Sequence, residues 1–347
     1  MTAPHPITIA GGGLAGLTLG IALRQRQVPV TIREAGAYPR HRVCGEFLCG
    51  GGLEVLRDLG LYSPLVAAGA SEARRAAFYS SGRSFRPQAL PEGALCLSRY
   101  AMDACLAGEF RRLGGRLLER DRYTGPNSAE GLVRATGRRI ERHPSRATWI
   151  GLKAHASRVR LAADLEMHFV PGGYVGLCRL AGGAVNVCGL FAVSGPVPRL
   201  AADWPALLRG PADSVLRRRL EEAEFDAETF CAVSGLNLRP QRGEGVQECR
   251  IGDALSMIPP VTGNGMSMAL ESAAWAAEPL AAYSRGERTW EEARRAVARR
   301  CDAGFARRLR WARWLQWALL RSGCREALLA AGARCQWLWH AGFRATR

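Results

Sequence analysis

The sequence predicts an α/β fold. A Rossmann-type dinucleotide-binding domain is expected to interleave with an antiparallel β substrate domain, and helices are expected to cap the C-terminal end. Three observations carry this prediction. A βαβ pattern opens the chain, short strands separated by glycine-rich turns run from 149 to 191, and an arginine- and tryptophan-rich helical pattern fills 289–343. The expected boundaries are 1–73, 95–148 and 246–285 for the nucleotide-binding domain, 74–94 and 149–245 for the β domain, and 286–347 for the cap.

The opening unit reads Ile7 to Ala10 as a buried strand, Leu14 to Arg26 as a helix, and Val28 to Arg33 as a second strand ending in Glu34. Gly11, Gly13 and Gly16 supply the G-x-G-x-x-G spacing between strand and helix. In this arrangement the first glycine makes the tight turn, the second lets a pyrophosphate approach the backbone, and the third lets helix and strand pack closely. Leu14 and Ala15 begin the helix, so its free N–H groups and positive dipole end would face the phosphates. Glu34 can accept hydrogen bonds from a ribose hydroxyl, which suits the unphosphorylated adenosine ribose of FAD or NAD better than NADP.

A long basic loop follows, with Arg40, His41, Arg42, Cys44 and Cys49, and enters a helix near Leu53. Residues 74–86 read as a hairpin around Ser81-Gly82, and Leu97 to Gly114 as a strand end and a helix. Arg116 to Glu119 and Leu132 to Thr136 read as further short strands, the latter leading into Gly137-Arg138. The segments WIGLKAHA, DLEMHFVP, GYVGLCRL and AVNVCGLF predict the antiparallel sheet. Within the first of them Lys153 and His155 share a face, from which they would either line the substrate pocket or lie at the surface. Helical stretches are expected at about 202–223, a strand near 228–235 and another at Glu248 to Gly252. Asp253 then precedes a Pro259-Pro260 and Gly263, Gly265 loop, and a helix begins near Met266.

Composition narrows the function classes. The 347 residues carry a net charge of +17, which predicts an acidic partner or ligand. No nucleic-acid motif is present, so nucleic acid is set aside. Eleven unpatterned cysteines predict reduced thiols and a cytoplasmic setting. The N-terminus lacks a basic region before its apolar run and does not read as a signal peptide.

Three separated signatures, GGGLAG, LSRYAMDACL and IGDALSMIPPVTGNGM, together resemble the FAD-dependent oxidoreductases that include para-hydroxybenzoate hydroxylase and geranylgeranyl reductase. RVCGEFL, WIGLKAHA and GGYVGL resemble the geranylgeranyl-reductase-like branch more closely, and the resemblance spans roughly residues 5–285. It implies a glutathione-reductase-like FAD domain in which Gly11, Gly13, Leu14, Ala15, Gly16 and Glu34 hold the ADP half of FAD. Arg42 and Arg99 would contact its phosphates and adenosine side, and Asp253 the pyrophosphate or ribityl chain. Pro260, Gly263, Gly265 and Met266 would lie against the flavin ring. The helix starting after Gly265 would direct its dipole at a ring that is anionic when reduced.

The resemblance also implies NADH or NADPH as reductant. Here Thr136-Gly137-Arg138 stands where the family has an acid-glycine pair, which bears on nicotinamide docking more than on FAD. The segment between Glu119 and Leu132 is shorter than the family's. Cys44 matches the family's C-G motif and is the candidate catalytic residue, as a proton donor or a group that tunes the ring; the alternative is a small residue filling space. The expected activity is monooxygenation of a small hydrophobic, lipid-like or carrier-tethered substrate. Reduction of a carbon–carbon double bond and a non-catalytic FAD-binding protein are the alternatives. A halogenase is disfavoured, because the W-x-W-x-I-P motif of that group is absent.

Residues 304–321 place Trp311, Trp314 and Trp317 beside Arg307, Arg310 and Arg321 on a helix. One reading is a capping helix that buries leucine and tryptophan on the FAD domain. The other is a docking surface for an anionic membrane or an acidic carrier protein, which would make the protein peripheral at a membrane.

Overall fold

In a computed structural model that describes residues 3–80, 82–138, 148–193 and 203–347, the βαβ unit is strand β1 (Ile7–Ala10), helix α1 (Leu14–Gln25) and strand β2 (Val30–Glu34). Ser81 and the start of the predicted 202–223 helical stretch lie outside the described residues. α1 is apolar around its whole circumference and is buried from Leu14 to Leu23, as expected of a helix packed on several sides. β1 and β2 are central in a five-stranded, wholly parallel sheet A. Its order is β14 (Cys249–Arg250), β8 (Leu132–Arg134), β1, β2, β7 (Arg116–Glu119). α1 packs against α4 (Arg99–Arg112) and α7 (Gly265–Ser284), and Ile9, Ile21, Ile32, Phe110 and Leu270 form the centre of this core. Ser98 caps α4 by accepting from the Ala101 N–H.

Sheet B holds β3 (Phe47–Leu48), β4 (Ser71–Ser80), β5 (Arg83–Ser84) and β6 (Gln88–Cys96) from the first part of the chain. β9 (Thr148–Ser157), β10 (Leu165–Val170), β11 (Gly173–Arg179), β12 (Val185–Val193) and β13 (Glu224–Ser234) complete it. The order is β13-β9-β12-β11-β10-β4-β6-β3, with β5 paired to β4. All pairs are antiparallel except β4 with β10, where the chain's early and late contributions meet in parallel. The predicted 202–223 helical region is two short helices, α5 (Trp204–Arg209) and α6 (Val215–Arg219).

Two further helices, α2 (Gly51–Asp58) and α3 (Tyr62–Ala67), link β3 to β4. The cap is α8 (Trp290–Leu319), α9 (Ser322–Arg334) and α10 (Gln336–Ala345). A capping box starts α8, with Thr289 accepting from the Glu292 N–H and the Glu292 side chain bonded back to the Thr289 N–H. α8 packs on α7, while α9 and α10 reach β4 and β6 of sheet B. Among the described residues no helix is long and apolar enough to cross a membrane. All eleven cysteines are unpaired.

Candidate functional site

A cavity of about 1680 Å³ starts at the glycine loop after β1 and continues between sheet B and the C-terminal helices. Pockets for a single small ligand are typically about 300–1,000 Å³, so this one has room for a cofactor and a second molecule. Of the residues singled out in the sequence, Gly11, Gly13, Leu14, Ala15, Glu34, Arg42, Cys44, Arg99, Asp253, Pro260, Gly263, Gly265 and Met266 all line it. Gly16 does not. It lies behind the loop, where a Cβ would come within 1.9 Å of the Gly11 carbonyl oxygen.

The glycine loop divides into two kinds of position. Gly11 has φ +105°, and a Cβ there would stand 2.4 Å from the Ala135 carbonyl oxygen. Gly11 and Gly16 are therefore required by the protein's own packing. A Cβ on Gly13 would meet no described atom within 4 Å. The space beside Gly13 is left open by the protein, at the end of a helix with no acid in its first turn.

Glu34 is buried. Its Oε2 accepts from the Gly12 N–H at 2.8 Å, and its Oε1 accepts from the Gly36 N–H at 2.8 Å and from Arg40 at 2.5 Å. Burial alone would raise its carboxyl, but these N–H donors and the nearby arginines outweigh it and hold the group below the usual range. Glu34 thus braces the loop as well as facing the cavity.

Beyond it, Asp103 on α4 is fully buried and ties two arginines together. Arg99 makes a bidentate contact at 2.8 and 2.9 Å, and Arg42 Nε donates at 3.1 Å. Arg42 Nη2 is buried, has no hydrogen-bond partner among the described residues, and stands 3.7 Å from Glu34. Asp253, in the turn after β14, is pushed up by burial, and the charges of Arg138 and Arg99 only partly offset that. Thr136, which stands in place of the family's acid, is exposed at the cavity wall.

At the far end of this wall, Gly263 has φ +63°, and a Cβ there would lie 2.2 Å from the Phe47 ring. α7 begins at Gly265, again with no acid in its first turn. Its N-cap Asn264 donates through Nδ2 to the Thr346 carbonyl, and Arg347 lies over Phe343 with its Nη2 3.4 Å from the Thr262 carbonyl oxygen. Residues 343–347 therefore wall the turn that the sequence assigned to the ring. Cys44 Sγ accepts from the Glu46 N–H at 3.4 Å, and burial pushes its thiol up, so it is a neutral thiol.

The deeper chamber is apolar. Tyr174, Leu190, Leu236, Val261 and Leu319 pack together around it. At its opening stand Trp311, Trp314, Trp337 and Leu338, which line the cavity and are 45%, 47%, 72% and 45% exposed. The leucines of α8 face inward while Trp311, Trp314 and Trp317 are about half exposed, contrary to the reading in which both pack on the FAD domain; Trp290, at the start of the helix, does pack on the core beside Tyr283. Arg321 stacks over Trp317 at 4.2 Å.

No protein-family model and no curated protein sequence matches the chain. Its structure does have close counterparts. A flavin-dependent brominase, Bmp2, superposes with a TM-score of 0.72 at 18% identity over 96% of this chain and 94% of the brominase. PqsL, described as a probable FAD-dependent monooxygenase from Pseudomonas aeruginosa, gives 0.69 at 16% identity over 94% and 98%. The myxobacterial chondrochloren halogenase CndH gives 0.69 at 19% identity over 88% and 80%.

The fold is the one these flavin-dependent proteins share. At these identities the likeness is one of fold, halogenases included, and the residues themselves must be tested against FAD. They fit. Gly13 leaves a cradle, Arg42 offers a buried unpartnered nitrogen, and two helix N-termini without acids border the same cavity. Sequence reasoning missed Asp103, Glu46 and the 343–347 wall. Asp103 had a signal, since it stands four residues after Arg99 on one helix.

Proposed function

We propose that the chain is an FAD-dependent enzyme, reduced by NADH or NADPH, that oxygenates a small hydrophobic substrate held in the apolar chamber. The observation that carries this reading is the continuity of the cavity, from the open cradle at Gly13 to the chamber behind the tryptophans. FAD, when bound, supplies hydride acceptance and oxygen activation. The chain supplies the rest. The glycine loop and α1 hold the diphosphate, with Arg42, Arg99 and Arg138 opposite its charge. The start of α7 stabilises negative charge on the ring, and sheet B with the cap excludes water.

A second reading, reduction of a carbon–carbon double bond, is favoured by one observation: Cys44 lines the cavity as a protonated thiol, the form that can give a proton to carbon. Turnover under nitrogen with NADPH as sole reductant separates the two. Oxygenation predicts that product formation stops without oxygen; undiminished turnover selects the reductase. Absence of NAD(P)H oxidation with any substrate would leave a non-catalytic FAD-binding protein.

The substrate reaches the chamber at an anionic surface, a membrane or an acidic carrier protein. Arg307, Arg310 and Arg313 are exposed beside the tryptophans and have no ion-pair partner among the described residues. Indole rings settle at interfaces while guanidinium groups hold phosphate or carboxylate. At an anionic membrane each basic residue contributes about 1 kcal/mol, so changing all three to Gln should weaken binding by roughly a hundredfold. Flotation with phosphatidylserine vesicles and titration with an acidic carrier protein, each at low and high salt, distinguish the sources. Binding to neither at low salt would refute the docking surface.

A further inference from the structure

Lys153 is the single lysine of the chain; every other side chain counted as Lys or Arg is arginine. It is also fully buried, with Nζ 3.3 Å from Glu46 Oε1 and 3.1 Å from His41 Nδ1. The other carboxylate oxygen of Glu46, Oε2, lies 2.7 Å from His155 Nε2. Glu46 is itself fully buried and held at φ +60°, a costly conformation for a residue with a side chain. Its Oε1 also accepts from the Arg99 N–H at 3.0 Å. Hydrogen bonds link the four groups in the order His155, Glu46, Lys153, His41, and the two terminal rings also meet edge-on with centroids 5.2 Å apart. At one end His41 lines the cavity and stacks on Tyr100. At the other, His155 is partly exposed opposite an irregularity in β13, where the register shifts between Asp226 and Cys231.

We propose that His155, Glu46, Lys153 and His41 form a proton relay from the partly exposed His155, beside the edge strand β13, to the wall of the cavity. A static ion pair needs one acid and one base, whereas this pair ends in an imidazole on each side. A lysine ammonium carries three rotatable N–H donors, so it can hand one proton to His41 as it takes another from Glu46, and lysine occurs only here. Burial and the neighbouring Lys153 push the His41 imidazole down to about 4, so it is neutral and can pass a proton from one ring nitrogen to the other side. One proton enters at His155 from water and one leaves at His41, with no electron transferred. Groups facing the chain from its neighbours are Asp226 and Cys231 on β13, Cys188 on β12 and Arg99 on α4. Three atoms of His41, Glu46 and His155 lie within 4.8 Å of one another, as in a metal site, but Lys153 Nζ already bonds to two of those residues.

The relay concerns the same cavity as the FAD reading and rests on it only at the His41 end. Because there is one lysine, protein made with isotope-labelled lysine gives a single side-chain amine resonance. In FAD-free protein, exchange of the Nζ protons with water should be several-fold slower in His155→Gln than in wild type; equal rates in folded protein would overturn the relay. In FAD-loaded wild type, reduction with dithionite should shift the resonance, and His41→Gln should remove that shift. A shift that persists in His41→Gln, or is absent from wild type, refutes delivery to the cavity. Should His155→Gln fail to fold, the His41→Gln comparison decides. Failure of the wild type to take up FAD would count against the flavin reading alone, since the exchange comparison needs no cofactor.

Discussion

Gly13→Val is expected to abolish FAD binding and leave the fold intact. The residue caps α1 with φ −84° and ψ −170°, extended backbone that a β-branched residue adopts readily. Its Cβ would meet no described protein atom, so the added side chain has room in the FAD-free protein. The same side chain would fill the side of the loop that the described residues leave open for a diphosphate. The loss in affinity should be at least about a hundredfold, roughly 2.8 kcal/mol. Fluorescence titration with FAD, alongside a melting curve, measures both parts. Gly16→Val makes the contrast, since its Cβ would stand 1.9 Å from the Gly11 carbonyl oxygen and should damage folding itself. Equal FAD affinity in wild type and Gly13→Val would mean that the cofactor, if any, lies elsewhere.

Asp103→Ala is expected to have the largest effect on stability. The carboxylate is fully buried and is the hydrogen-bond partner of both Arg99 and Arg42. Removing it leaves a largely buried guanidinium without its counter-charge, at a cost of about 3–5 kcal/mol. Burial by itself would weaken the hold of Arg99 on its proton, and Asp103 reverses that. Urea unfolding measures the loss, with Asp103→Asn expected to lie between wild type and Ala because it keeps part of the hydrogen bonding. An unfolding midpoint unchanged in Asp103→Ala would show that water, not Asp103, satisfies these arginines.

What the sequence made legible was local. The βαβ unit, the glycine spacing and the Gly252-Asp253 to Met266 run each lie within a few turns of chain, where spacing alone encodes geometry. Elements whose reason is tertiary were not legible. β6 contains Pro91 and Gly93, which hide a strand, and its pairing with β4 is irregular between Ala73 and Arg75 for the same physical reason. The parallel pairing of β4 with β10 joins segments far apart in the chain. Lys153 and His155 were correctly placed on one face, but their partner Glu46 is more than a hundred residues away, and they turn out to bind it and not to line the chamber. The outward-facing Trp311, Trp314 and Trp317 of α8 follow from the inward packing of Phe305, Leu309, Ala312 and Leu319, a choice of face that 3.6-residue periodicity alone left open.

The central claim is that the cavity beside Gly13 holds FAD. Its most direct test is to denature a known amount of purified protein and identify the released chromophore by chromatography and mass. The account predicts yellow protein and one FAD per chain, restored on adding FAD back to stripped protein. A colourless protein that takes up no FAD on reconstitution would contradict it.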